Sequence, residues 1–212
     1  MNAIFPTQGA QAGLIRRAQA SDIAAVVRIH CAAFPDSFLT LLGPRFLTIY
    51  YNLLREDPGG ILLVHDPAQI DAFVAGFLRP ERFYRRMKAA RWTMLASLAA
   101  ALKNRPRLAG QVFYHVKRMM LGKARQHPGE CELSSLAVSP DAWSRGIGTA
   151  LVRAFLDAAW SAGAPAVYLT TDATGNGRTN SFYQRIGFEL RQCFLQYRGR
   201  LLNEYVIRRA VQ

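Results

Sequence analysis

The chain reads as a mixed α/β domain on three observations. An apolar run at 136–138 ends at Ser139-Pro140, a polar loop closes with Arg145-Gly146-Ile147-Gly148, and Thr149 opens a long amphipathic pattern: strand, glycine loop, helix. Downstream, 166–171 (AVYLTT) reads as a buried strand. The stretch 176–185 (NGRTNSFYQR) then reads as a short helix that Gly187 can stop in a left-handed cap. Finally, 188–197 and 202–207 are two strand-like runs around Arg198-Gly199, the pattern of a hairpin. Strands that alternate with helices and also turn back on themselves predict a mixed central sheet of about seven strands flanked by helices.

The elements follow in chain order. Residues 1–13 (MNAIFPTQGAQAG) have no basic start and no sustained apolar core, so they read as a flexible tail and not as a signal peptide. A single domain is expected over 14–212, opening with a strand at 14–18. Ser21-Asp22 is a helix-start signal, and Ile23, Val26, Val27, Ile29 and His30 share the apolar face of the helix after it. The sequence FPDSF at 34–38 breaks that helix. A second helix fits 46–54 and stops at DPGG (57–60). Strands at 61–65 and 70–78 flank a turn at Asp66-Pro67. Between 79 and 129 the pattern predicts a helical insertion. One helix fits 81–102 and a second 108–121, with Leu108, Val112, Val116 and Met119 on one stripe and Asn104-Arg105-Pro106 between the two. A strand resumes over 130–138.

The net charge is +13, and between Arg79 and Arg125 thirteen Lys or Arg face one acid, Glu81. Three readings fit this insertion. It is a solvated hairpin, a cationic lid that draws in an anionic acceptor, or an amphipathic face for an anionic membrane surface with Trp92, Met94, Leu95 and Phe113 as apolar contacts. The lid ranks first and the membrane second. Nucleic acid is disfavoured, because no reading motif accompanies the charge. No apolar segment approaches the ~20 residues that span a bilayer. Cys31, Cys131 and Cys193 are scattered, odd in number and without metal spacing, which points to a reducing, cytoplasmic setting and to no metal. Attachment to the membrane periphery stays open alongside.

The glycine loop carries its own chemistry. The first amides of a helix have no partner inside it, the helix dipole favours negative charge there, and glycine lets the backbone approach a phosphate closely. The P-loop pattern is excluded because Gly-Lys-Ser/Thr is missing. The dinucleotide fingerprint is excluded because the third glycine is missing.

Taken together, LAV (136–138), RGIG (145–148), Asn176, and Tyr183 within FYQRIGF (182–188) resemble the GNAT superfamily of acyl-CoA-dependent N-acyltransferases. The detailed resemblance lies in the C-terminal part of the chain, and the N-terminal half matches in outline. The family loop usually opens with Gln or Arg three residues before its first glycine. Trp143 stands there in this chain, with Arg145 two residues later.

The resemblance implies transfer of an acetyl group from acetyl-CoA, as co-substrate, to a primary amine by direct attack, with no covalent enzyme intermediate. It implies that Leu136, Ala137 and Val138 meet the pantetheine arm where two strands splay apart, and that the Val138 amide meets the oxyanion. The amides of Arg145, Gly146, Ile147, Gly148 and Thr149 would take the pyrophosphate. Asn176 would bond the cofactor arm or cap its helix. Tyr183 would be the general acid; its plain alternative is a packing aromatic beside Phe182 and Phe188. Glu132 would be the general base, against an equally weighted reading as a strand-end glutamate in water. Asp172 is a rival base or an ammonium ligand, and His30 a weaker candidate. LNEYVI (202–207), TTD (170–172) and the basic insertion resemble members associated with bacterial polysaccharide gene sets, which implies a small, anionic, amino-sugar acceptor. Many family members dimerise, which leaves a homodimer open. A CoA-binding module without turnover, regulatory or tethered to a membrane surface, is the alternative; it would need neither Tyr183 nor Glu132.

Overall fold

The computed structural model describes residues 14–89, 127, 129–196 and 199–209. The tail expected at 1–13 lies outside the described residues, as does the expected insertion across 90–126 and at 128. Seven strands form one sheet: β1 (Ile15–Arg17), β2 (Gly60–His65), β3 (Ala72–Phe77), β4 (Cys131–Val138), β5 (Ala166–Asp172), β6 (Glu189–Leu195) and β7 (Leu201–Arg208). Their order is β1-β2-β3-β4-β5-β7-β6. Only β4 and β5 pair in parallel; the other neighbours are antiparallel. The mixed sheet that the sequence predicts is therefore present.

Helices cover both faces. On one side α1 (Ile23–Ala33) and α3 (Pro44–Glu56), joined through the short α2 (Phe38–Leu41), pack with α4 (Pro80–Ala89). On the other lie α5 (Ile147–Ser161) and α6 (Gly177–Ile186). Burial on both sides explains why β2 (GILLVH) and β3 (AFVAGF) are buried throughout instead of alternating. Helix α5 drives Leu151, Val152, Phe155 and Ala159 into the sheet, each fully buried. Burying a side chain such as Phe155 contributes about 2 to 3 kcal/mol.

Several boundaries shift for local reasons. Helix α3 starts at Pro44 and not at 46, because proline at the first helical turn gives up an N–H that would have no partner there. Helix α5 starts at Ile147, inside the glycine loop. Gly146 is its N-cap at φ 78°, and the Gly146 carbonyl accepts from the Ala150 amide at 3.0 Å.

One irregularity shapes everything downstream. Gly76 pairs with Leu133 and Ala75 with Ser135, so Ser134 is an extra residue in β4. This β-bulge reverses the facing of the strand. Before it, Cys131 and Leu133 point to the α5 side. After it, Leu136 and Val138 do, while Ala137 joins the core under α1 and α3. Gly76 permits the bulge: a Cβ there would lie 2.1 Å from the Glu132 carbonyl oxygen and 2.5 Å from Cζ of Phe155.

Candidate active site

The β4–β5 pair is registered at Cys131↔Val167 and Glu132↔Tyr168 and not beyond. On the other edge of β4, the Ser139 amide donates to the Asp71 carbonyl at 2.8 Å. Antiparallel ladders alternate, so Leu136 and Val138 turn their amides and carbonyls away from β3. Those groups face the gap where β5 has parted from β4. This is the splay expected from the sequence.

The gap continues into a cleft of about 940 Å³. Leu136, Ala137 and Val138 line it, as do Gly146, Ile147, Gly148 and Thr149 at the start of α5. Arg145 is exposed and stands outside the lining. Gly148 faces the ring of Phe182, which would sit 3.5 Å from a Cβ at that position, so α6 closes directly over the loop. Ser144, at φ 64°, is the one non-glycine residue with positive φ among the described residues. It shares the tight turn with Gly146. The N-terminal amides of α5 and the edge of β4 that β5 has left thus open on one cavity, an arrangement suited to a ligand with phosphates at one end and an extended, amide-bearing arm at the other.

Asn176 and Tyr183 line the same cleft from α6. The Asn176 side chain makes no capping bond. Its Nδ2 donates to the Thr171 hydroxyl at 3.1 Å. The neighbouring Asn180, buried and overlooked in the sequence, ties the region together: its Nδ2 donates to the carbonyls of Asp172 (2.9 Å) and Asn176 (3.0 Å). Tyr183 is buried beside Phe182 and Phe188, and burial holds its phenol well above the ordinary tyrosine range. It is therefore protonated throughout the neutral range.

Glu132 sits one residue behind the cleft lining, on the opposite face of β4. Its carboxylate accepts from the hydroxyls of Tyr168 (3.1 Å) and Tyr84 (3.3 Å). Burial pushes its pKa up, and the two phenols, with His127 nearby, pull it partly back. The reading of Glu132 as a water-exposed strand end is thereby corrected. Beside it, Tyr50 and Ser134 hydroxyls lie 3.1 Å apart. Glu204 of β7 is also buried, with Gln192 Nε2 donating to it at 3.0 Å and His127 and Arg191 close by. Sequence reading missed Tyr50, Tyr84 and Tyr168. They stand far apart in the chain, and the fold alone brings their hydroxyls to β4. The bulge had a signal, a lone glycine inside the strand AFVAGF opposite two serines.

The rival base Asp172 lies at the cleft with both its oxygens accepting from Arg200, at 2.5 and 2.7 Å. His30 does not reach the cleft. It is buried under α1, with Nδ1 2.7 Å from the Tyr51 hydroxyl, and burial lowers its pKa to about 4. It is neutral and structural, although Ala33 and Phe34 at the end of the same helix do line the cleft. Among the described residues no three His, Cys, Asp or Glu side chains gather as a metal site, and no helix is long and apolar enough to cross a membrane.

A splayed parallel strand pair, a glycine-started helix and a buried phenol thus share one cleft, an arrangement that suits an acyltransferase with a nucleotide-linked thioester donor. The profile of the Acetyltransferase (GNAT) family matches residues 23–188, and the chain belongs to that family. Its donor is acetyl-CoA and its reaction is acetyl transfer. Solved structures of the same fold include the ribosomal-protein-alanine N-acetyltransferase of Brucella melitensis, at 18% identity and a TM-score of 0.61 over 92% of this chain and 99% of that one. An aminoglycoside 6'-acetyltransferase type Ii matches at 13% identity and 0.58 over 92% and 96%. The yncA protein of Salmonella typhimurium, solved with its cofactor acetyl-CoA, matches at 15% identity and 0.56 over 92% of each chain. No curated protein sequence matches this one.

Proposed function

We propose that the chain N-acetylates the primary amine of a small, anionic acceptor of amino-sugar type. The observation that carries the donor half is the parting of β4 from β5 after Glu132↔Tyr168, with the α5 amides and Tyr183 opening on the same gap. The acceptor half rests on other residues of the cleft lining. Ser134, Ser135, Thr170 and Gln196 offer hydroxyl and amide groups there, and Phe34 and Leu202 offer apolar surface. That mixture suits a polyhydroxylated ring. Arg185 at the cleft supplies positive charge for an anionic substituent, and the thirteen Lys and Arg of 79–125 add to the net positive charge of the chain.

In this reading the residues divide the work. Amides of Gly146, Ile147, Gly148 and Thr149 hold the pyrophosphate, with Arg145 at the outer end of the loop. Leu136 and Val138 pair with the pantetheine arm, beside the Asn176 carboxamide. Glu132 takes the proton from the attacking ammonium by way of a water or hydroxyl, since its carboxylate stands behind the lining. The new C–N bond forms as the Val138 amide donates to the carbonyl oxygen, and the C–S bond then breaks. Tyr183 gives its proton to the departing thiolate and recovers one from solvent. Holding both substrates in one cleft supplies much of the rate without a covalent enzyme intermediate.

The test is release of thiol from acetyl-CoA with three acceptor sets: nucleotide-linked amino sugars, aminoglycosides and peptide amino termini. Turnover favouring the first supports the assignment. Preference for either of the others replaces the acceptor class, and no thiol release with any amine removes the catalytic assignment.

A further inference from the structure

Trp143 occupies a decisive place in the cleft. Its indole N–H donates to the Val138 carbonyl at 2.8 Å, on the edge of β4 that faces the gap. The ring is 52% exposed, unusual for an indole, and the Arg178 guanidinium of α6 lies 5.4 Å from its centroid. The two side chains therefore bridge the outer mouth of the cleft, one from the loop before α5 and the other from the first turn of α6. Three arginines line the cleft: Arg178, Arg185 and Arg200. Arg200 is held by Asp172, whereas Arg178 has no carboxylate partner among the described residues. An exposed aromatic face beside an unneutralised guanidinium is a site for a base and a phosphate together: any base can stack on the ring, and arginine pairs with phosphate through its planar fork.

This reasoning rests on the acyl-CoA assignment. If the α5 amides hold the pyrophosphate and the arm runs inward along β4, the nucleoside must leave through the outer mouth. We propose that Trp143 and Arg178 form the nucleotide-end subsite, the purine packing on the indole and the 3′-phosphate pairing with Arg178. The subsite makes the cleft selective for CoA over the same pantetheine arm carried without a 3′-phosphorylated nucleoside.

The experiment is calorimetry on the full chain with CoA, 3′-dephospho-CoA and 4′-phosphopantetheine, together with tryptophan emission during the CoA titration. Both side chains are exposed, so Trp143→Ala and Arg178→Ala keep the fold, which circular dichroism checks. Wild type binds CoA about tenfold more tightly than 3′-dephospho-CoA. Arg178→Ala brings that ratio to within about twofold. Trp143→Ala lowers the preference for CoA over 4′-phosphopantetheine about tenfold, a ratio in which any change at the Val138 carbonyl, bonded by the indole N–H in wild type, cancels. Trp143→Phe abolishes the emission change seen on adding CoA. The inference is overturned if wild type binds CoA but does not distinguish it from 3′-dephospho-CoA, or if any of these variants behaves as wild type does; the acyl-CoA assignment then stands. Folded wild type that binds no CoA overturns both.

Discussion

The Tyr168 hydroxyl donates to the Glu132 carboxylate at 3.1 Å, across the last rung that β4 and β5 share before they part. The hydrogen bond that tunes the proposed base and the backbone divergence that opens the cleft are thus set at the same point in the sheet. The bond favours the charged carboxylate and burial opposes it, burial being the stronger. Tyr168→Phe removes the favourable part. The acid limb of the kcat/KM profile therefore moves to higher pH in this variant, measured with saturating acetyl-CoA and compared with wild type in the same buffers.

Glu132→Gln separates activity from stability. A carboxyl whose pKa is raised on folding contributes its stability below the unfolded value and loses it as pH rises through the folded value. Raising the pH therefore favours the charged form that burial disfavours. The glutamine variant has a higher melting temperature than wild type at pH 8, and the gap narrows toward pH 4. Its kcat falls about 100-fold. A variant that loses stability at pH 8 as well as rate would instead make Glu132 a structural partner of Tyr84 and Tyr168.

Tyr183→Phe keeps the buried ring beside Phe182 and Phe188 and deletes only the proton donor. Turnover drops about 100-fold while CoA affinity by calorimetry is unchanged. Because burial holds the phenol well above its ordinary range, wild type shows no loss of rate from this group up to pH 10. Undiminished turnover in the variant would remove the acid role.

His30 contributes to the acid end of the stability curve. Its pKa falls to about 4 on burial, from an ordinary value near ~6.5. The unfolded chain thus takes up this proton first as pH drops. Stability from the neutral imidazole is complete above pH 6.5 and is lost as pH falls through 4, on the order of 3 kcal/mol across the window. Urea midpoints for His30→Gln between pH 7 and 4 fall less steeply than those of wild type.

Gly76→Ala tests the bulge. The added methyl meets the Glu132 carbonyl and the buried Phe155 ring, neither of which can withdraw. Overpacking of this kind costs about 1 to 3 kcal/mol, visible as a lower urea midpoint. The shift it forces in β4 also lowers activity, whereas Gly148→Ala, in ordinary contact with Phe182, leaves the midpoint near wild type and weakens CoA binding.

Much of this fold was legible because its signals are local. The loop RGIG, the alternation of apolar runs and the Gly187 stop each depend on a few adjacent residues, and the structure places all of them as expected within a residue or two. That the helix start and the strand edge line one cleft was legible for the same reason: each is a local backbone feature. The environment of Glu132 was not. Its partners Tyr84 and Tyr168 lie 48 and 36 residues away, and no spacing rule connects a helix after β3 with the middle of β5.

The sequence by itself determined a seven-stranded mixed sheet, a phosphate-ready helix start and a buried-strand scaffold, because hydrophobic periodicity and glycine conformation act over a few residues. Only the tertiary structure decided which charges count. It half-buried Glu132 against two phenols, locked Asp172 to Arg200, buried His30 and set Arg178 over Trp143. The physical reason is that desolvation and ion pairing depend on what surrounds a group in space, and the surroundings come from strands and helices distant in the chain.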